Sequence, residues 1–292
     1  MLRRLFMFLV QVSLVFPLWS QPVNGRLLFS QGQVLQVSQQ VKNTITQQAM
    51  GNAIDFTVSG QIHHRYTVTN STEDNTTLHH DVKRIGFNVE GMGPKRGFDS
   101  DNPKDLEGMF GPRVKELMGK TYDMILDPMG KVLLVKPEKM ELSAGDERLM
   151  MVFNLLRDVT SAVFPPAKNE ASFFRVLPDT AIGLKGSWTE SGMTPDGRFS
   201  STFTLSAITD TTILIDLTGT STTVTRTDMM GMQITTRLNN TYTGTMVLDR
   251  KTGLLREKKV STHSTGTTDG MGGATPVTTQ NELHWLVTTL PG

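Results

Sequence analysis

Apolar side chains recur at every second position through most of this chain, and that period is the pleat of a β-strand rather than the turn of a helix. Ile54, Phe56 and Val58 alternate, then Ile62, His64, Tyr66 and Val68, then Leu78, His80 and Val82. Ile85, Phe87 and Val89 continue the pattern with a change of parity, which places a bulge near Lys83 and Arg84. From Phe173 onward the same alternation returns, in segments such as 199–207, 211–218, 242–248 and 254–263. Threonine fills many of the intervening positions, as expected of antiparallel strands with one wet face. A hydrophobic content of 37% is modest, and it fits a sheet that buries only one side.

Between the two strand-rich regions the pattern changes. The segment 91–102 is rich in Gly, Pro and charge and is expected to be a loop. A helix is expected over 106–118, with Pro112 suited to its first turn. Tyr122 to Val132 has the form of a hairpin turning at Asp127–Gly130. Leu149, Val152, Phe153, Leu156, Val159 and Val163 lie on one stripe at helical spacing, and Pro165-Pro166 would end that helix. Segments 66–82 and 203–217 resemble each other. So do the turns Leu126-Asp127 to Gly130 and Leu248-Asp249 to Gly253. Met50-Gly51, Met230-Gly231 and Met271-Gly272 mark further turns. The expected fold is therefore mainly β. Two repeated antiparallel meanders form curved sheets, with one long amphipathic helix on a sheet face. The expected division is a signal peptide at 1–20, a first meander at 21–102, a helical segment with a hairpin at 103–166, and a second meander at 167–292.

The first residues bear on compartment. Met1-Leu2-Arg3-Arg4 is a short basic start, and an apolar run follows from Leu5 to Trp19. That is the layout of a secretory signal, with cleavage expected after Ser20, and the run is short for a membrane span. An exported protein of periplasmic or extracellular location follows, with no transmembrane span in the mature chain. The chain has no cysteine, so disulfides, thiolate metal sites and cysteine nucleophiles are excluded. Its 29 basic and 28 acidic residues nearly cancel and form no basic stripe, which leaves nucleic acid without an electrostatic footprint.

Several stretches resemble a family of uncharacterised exported bacterial β-rich proteins, a domain of unknown function. The resembling features are the strand start around Gly32 and the run from Gly119 to Val132. They also include Leu177 to Trp188, and Thr241-Tyr242 leading into Leu248-Asp249 and Gly253. The resemblance implies export and a β fold, and it brings no catalytic residues with it.

Few residue constellations point to chemistry. Pairing Tyr66 with Leu78 and Ile62 with Val82 sets His64 opposite His80, an arrangement able to hold a metal or sense pH. The alternative is a polar cross-strand pair, since only two ligands share the face. No nucleophile elbow, zinc-protease helix or phosphate loop with its lysine occurs. No catalytic residue and no cofactor are assigned. The Met-bearing helix stripe (Leu149, Met150, Val152, Phe153 and Leu156) is the candidate ligand-binding surface, for a lipid or other apolar molecule, though methionine also fills ordinary cores. The expected function is a non-enzymatic envelope or secreted protein that binds an apolar ligand or an envelope protein. The alternative is a structural or surface-interaction module acting through its exposed Thr-rich strands.

Overall fold

The computed structural model describes residues 22–49, 52–91, 96–140, 160–194, 196–229, 232–270 and 273–290. Its strands are β1 (Val34–Ala49), β2 (Asn52–Ser71), β3 (Thr76–Glu90), β4 (Arg96–Asp99), β5 (Tyr122–Leu126) and β6 (Val132–Lys136), followed by β7 (Ser187–Thr194), β8 (Gly197–Ile208), β9 (Thr212–Met229), β10 (Met232–Asp249), β11 (Leu255–Gly270) and β12 (Gly273–Leu290). Two short helices, α1 (Pro103–Glu107) and α2 (Gly111–Met118), lie between β4 and β5.

All of these strands belong to one open antiparallel sheet, in the order β6-β5-β3-β2-β1-β12-β11-β10-β9-β8-β7, with β4 paired to β3 beside this path. The expectation of separate curved sheets is therefore corrected. The first and last long strands pair from Val34↔Leu290 to Gln47↔Val277 and fuse the two regions into one sheet. Sequence pattern shows which face a strand buries, not which distant strand it will join, so this fusion was not legible.

Most of the stripe from Leu149 to Val163, where a long helix is expected, lies outside the described residues. Among the described residues Ser161–Val163 is a 3-10 turn and the helices are short, so a long amphipathic helix is not supported. Pro112 does fall in the first turn of α2, whose Val114 and Leu117 are buried. The region expected to be a loop at 91–102 contains β4, which pairs Phe98 with Phe87 and stacks the two rings 5.2 Å apart. The bulge lies where the change of parity placed it: His63 pairs with Arg84 and His64 with Val82, so Lys83 is the extra residue.

One face of the sheet is apolar. Leu35, Val37 and Val41 of β1 share it with Val58, Ile62 and Tyr66 of β2 and with Leu205, Ile215 and Leu248 across the far half. The chain segments before β1 and after β6 cover this face, as does α2. Leu27, Phe174 and Leu177 pack into it from the first two, and Val114 and Leu117 from the helix. Each fully buried side chain of this size contributes about 1.5–3 kcal/mol relative to exposure. The other face carries the alternate residues, chiefly Thr, Ser, Gln and charged groups, as the wet-face reading expects.

Candidate functional site

The polar face is concave. A trough of about 1230 Å³ crosses it, with walls and floor supplied by β1, β2, β3, β4, β10, β11 and β12. Side chains on alternate positions of these strands reach into it, among them Gln40, Gln61, Asn88, Thr243, Thr245 and Ser261. A second hollow of about 540 Å³ continues it over β8 and β9, sharing Thr243 and Ser261 and adding Thr202, Thr218 and Thr220. Strand pairing sets these hydroxyls in rows: Thr202 lies opposite Thr218, Thr218 opposite Thr243, and Thr243 opposite Ser261. Neighbouring rungs are about 4.8 Å apart.

Charge in the trough is balanced. Lys42, Arg84 and Lys259 are met by Asp99, Asp105 and Glu282. Arg84 holds Asp99 in a two-point contact, 3.0 Å from Nε to Oδ1 and 2.5 Å from Nη2 to Oδ2. That hydrogen bond keeps the Asp99 carboxyl below its ordinary range. Beside the lining residues Lys259 and His284, Glu257 accepts from Lys259 at 2.7 Å and meets His284 Nε2 at 2.8 Å. The Lys259 contact, followed by that of His284, holds the Glu257 carboxyl low. Arg84 pairs with Asp99 and Lys259 with Glu257, and Lys42 lies opposite Glu282, so the trough carries little net field, and Val41, Phe87, Phe98, Val260 and Leu283 line it beside the polar groups.

The predicted histidine pair lies on the opposite, apolar face. Its register differs from the expected one by two residues: Tyr66 pairs with His80 and His64 with Val82. A two-residue shift keeps every side chain on its face, so the imidazoles still meet, now as diagonal neighbours, with His64 Nδ1 2.9 Å from His80 Nε2. Both are 0% exposed. Burial drives the His80 pKa down to about 3 and that of His64 well below 6.5, helped at His64 by His80 itself. Two neutral rings share one N–H, and the nitrogens turned away from the contact, His64 Nε2 and His80 Nδ1, have no partner among the described residues. His80 stacks on Tyr122 at 4.3 Å, and the Tyr66 and Tyr122 hydroxyls lie 3.3 Å apart. Burial raises both phenols, Tyr122 to about 12. Among the described residues no three His, Asp or Glu side chains are grouped to hold a metal. The imidazole contact is a direct hydrogen bond that leaves no space for an ion between the rings.

The proposed ligand-binding residues Leu149, Met150, Val152, Phe153 and Leu156 lie outside the described residues, as do the signal segment 1–20 and the three Met-Gly turns. The trough residues were not singled out from sequence. Their signal was present in the Thr-rich alternate positions, but the curvature that gathers them into a hollow has no local signature.

The fold and this face define a mainly-β protein built as one open antiparallel sheet. Residues 167–255, which include β7 to β10, match a family of unknown function (DUF6263), in keeping with the resemblance drawn from sequence. None of the curated proteins matches the chain. Among solved structures, one described as "lipid-protein interactions in lipovitellin" aligns at 8% identity and a TM-score of 0.47, over 91% of this chain and 26% of the other. The chain thus spans about a quarter of that protein. An outer membrane channel from Pseudomonas putida F1 aligns at 8% identity and a TM-score of 0.24, over 90% of this chain and 98% of the other. No helix among the described residues is long and apolar enough to cross a membrane.

Proposed function

We propose that this is an exported, non-enzymatic binding protein of the envelope or extracellular space that acts through its Thr-rich face. The observation that carries the reading is the position of the trough. The apolar face is packed by the protein's own chain, whereas the trough lies on the hydroxyl- and amide-bearing side. Hydroxyls and amides both donate and accept, so they suit an uncharged ligand rich in the same groups. A hollow that runs from β4 to β8 suits an extended ligand rather than a compact one. A neutral glycan chain meets both requirements. The basic start and apolar run within residues 1–20 have the layout of an export signal and support an extracytoplasmic location. The histidine pair singled out from sequence is sealed on the apolar face, beyond the reach of a substrate.

Binding of the mature chain to immobilised neutral polysaccharides, with anionic lipid vesicles in parallel, tests the reading. Retention by a polysaccharide is expected. Thr243→Leu with Ser261→Leu should weaken it about tenfold, the loss of one to two hydrogen bonds. Binding to vesicles alone, unaffected by these substitutions, would replace the reading with the apolar-ligand one.

A further inference from the structure

The sheet ends differently at its two sides. β6 is covered by the chain that follows it: Val132 N–H donates to Glu170 O at 2.9 Å, and Asn169 N–H donates to Val132 O at 2.8 Å. Among the described residues no strand lies outside β7. This edge is eight residues long, pairs with β8 without a bulge, and contains neither proline nor lysine. It therefore lacks most of the devices that stop an edge from recruiting another strand.

The backbone parity of β7 can be derived from its entry. Leu205 N–H donates to Gly186 O and Leu205 O accepts from Lys185 N–H, so Leu205 turns both backbone groups toward β7. Alternation extends this to Phe203, Ser201 and Phe199, whose partners are Trp188, Glu190 and Gly192. The N–H and C=O groups of Ser187, Thr189 and Ser191 consequently point away from the sheet, into the open edge.

We propose that β7 joins a second copy of this chain, antiparallel, about a two-fold axis at Thr189. This register sets Thr189 opposite Thr189 of the second copy and Ser187 opposite Ser191 of the second copy. Every directly opposed pair of outward-facing residues is then a hydrogen-bonded pair. The same hydroxyl pairing already links β7 to β8, with Ser187 and Thr204 at 2.9 Å and Thr189 and Thr202 at 3.3 Å. Centring the axis one residue later would set Glu190 directly opposite itself, which like charges oppose. One strand thus supplies both halves of a closed, isologous contact, which favours a second copy over an unrelated strand. The polar face would run unbroken across both copies.

Sedimentation of the full chain across a dilution series is expected to show mass doubling with concentration. Thr189→Pro removes an outward N–H and the exposed hydroxyl contact with Thr202, and should leave a folded monomer, since proline is tolerated where an edge strand's N–H faces solvent. The chain has no cysteine, so a single introduced one reports alone. The Cα atoms of a hydrogen-bonded antiparallel pair lie about 5.5 Å apart, within disulfide reach. Thr189→Cys should therefore oxidise to a covalent dimer, while Thr218→Cys, exposed on the same face but two strands inward, should not. A wild-type chain that stays monomeric throughout overturns the proposal. So does a Thr189→Pro dimer, or equal crosslinking of the two cysteine variants. If Thr189→Pro fails to fold, the cysteine pair decides.

Discussion

His64 and His80 hold one proton between their facing nitrogens, and neither ring can gain a charge without bringing it into the apolar side of the sheet. Their folded pKa values lie below 6.5, that of His80 at about 3. The unfolded chain therefore binds more protons than the folded one between about pH 6.5 and 3. Stability falls as pH drops through that window, by up to ~1.4 kcal/mol per pH unit for each histidine. Urea unfolding followed from pH 7.5 to 4.5 should show this decline, and a double His64→Phe, His80→Phe variant should flatten it. The single His80→Phe variant leaves a buried imidazole nitrogen unpaired and should cost about 1–3 kcal/mol at neutral pH. A single variant no less stable than wild type would show that the shared hydrogen bond contributes nothing. The neighbouring charged groups Arg65, Asp81 and Lys83 face the other side of the sheet and pair among themselves, with Arg65 Nε 3.0 Å from Asp81 Oδ2 and Lys83 Nζ 2.6 Å from Oδ1.

At the scale of elements, two turns with the same Asp and Gly roles show how local sequence sets a connection. Asp127 Oδ1 accepts from the backbone N–H of Met129 at 2.9 Å and of Lys131 at 2.8 Å, and Gly130 has φ +82°. In the β10–β11 turn, Asp249 Oδ1 accepts from Lys251 N–H at 3.0 Å and Thr252 N–H at 2.8 Å, and Gly253 has φ +70°. Burial pushes the Asp249 carboxyl up, but hydrogen bonds from Thr252 and Arg256 outweigh it and hold the pKa below the ordinary value. The stabilisation from this carboxylate is accordingly present at neutral pH and lost as pH falls through the lowered folded pKa. Asp249→Ala should destabilise the protein by about 2 kcal/mol in thermal or denaturant unfolding. Asp249→Asn, which keeps an accepting oxygen, should cost clearly less. Equal losses would mean that charge, not the turn's hydrogen bonds, carries the effect.

At the scale of the molecule, pairing β1 with β12 makes one sheet of the two strand regions and brings Lys42 and Glu282 to opposite rungs on the polar face. The cancelling charges of the trough predict a binding reaction nearly independent of ionic strength. Affinity for a neutral polysaccharide should change less than about twofold between low and high salt. A steep salt dependence would instead indicate a charged ligand and remove the neutral-glycan reading.

The sequence by itself determined the strand class, the buried face of each strand, the bulge at Lys83, the first turn of α2 and the Asp-Gly turns. All of these depend on residues close together in the chain, where the two-residue period and the demand for positive φ act directly. It placed His64 and His80 on the buried face because their positions are in phase with Tyr66 and Leu78, whatever the register. It left the Thr-rich run at the start of β12 unassigned, because a strand polar on both faces carries no alternation. Only the tertiary structure decided that β1 would pair with β12, that the register of β2 and β3 would differ by two, and that the polar face would be the hollow one. Pairing between strands far apart in sequence is settled by the packing of the whole apolar face, and curvature by the accumulated twist of many strands. Neither leaves a mark on any single stretch of residues.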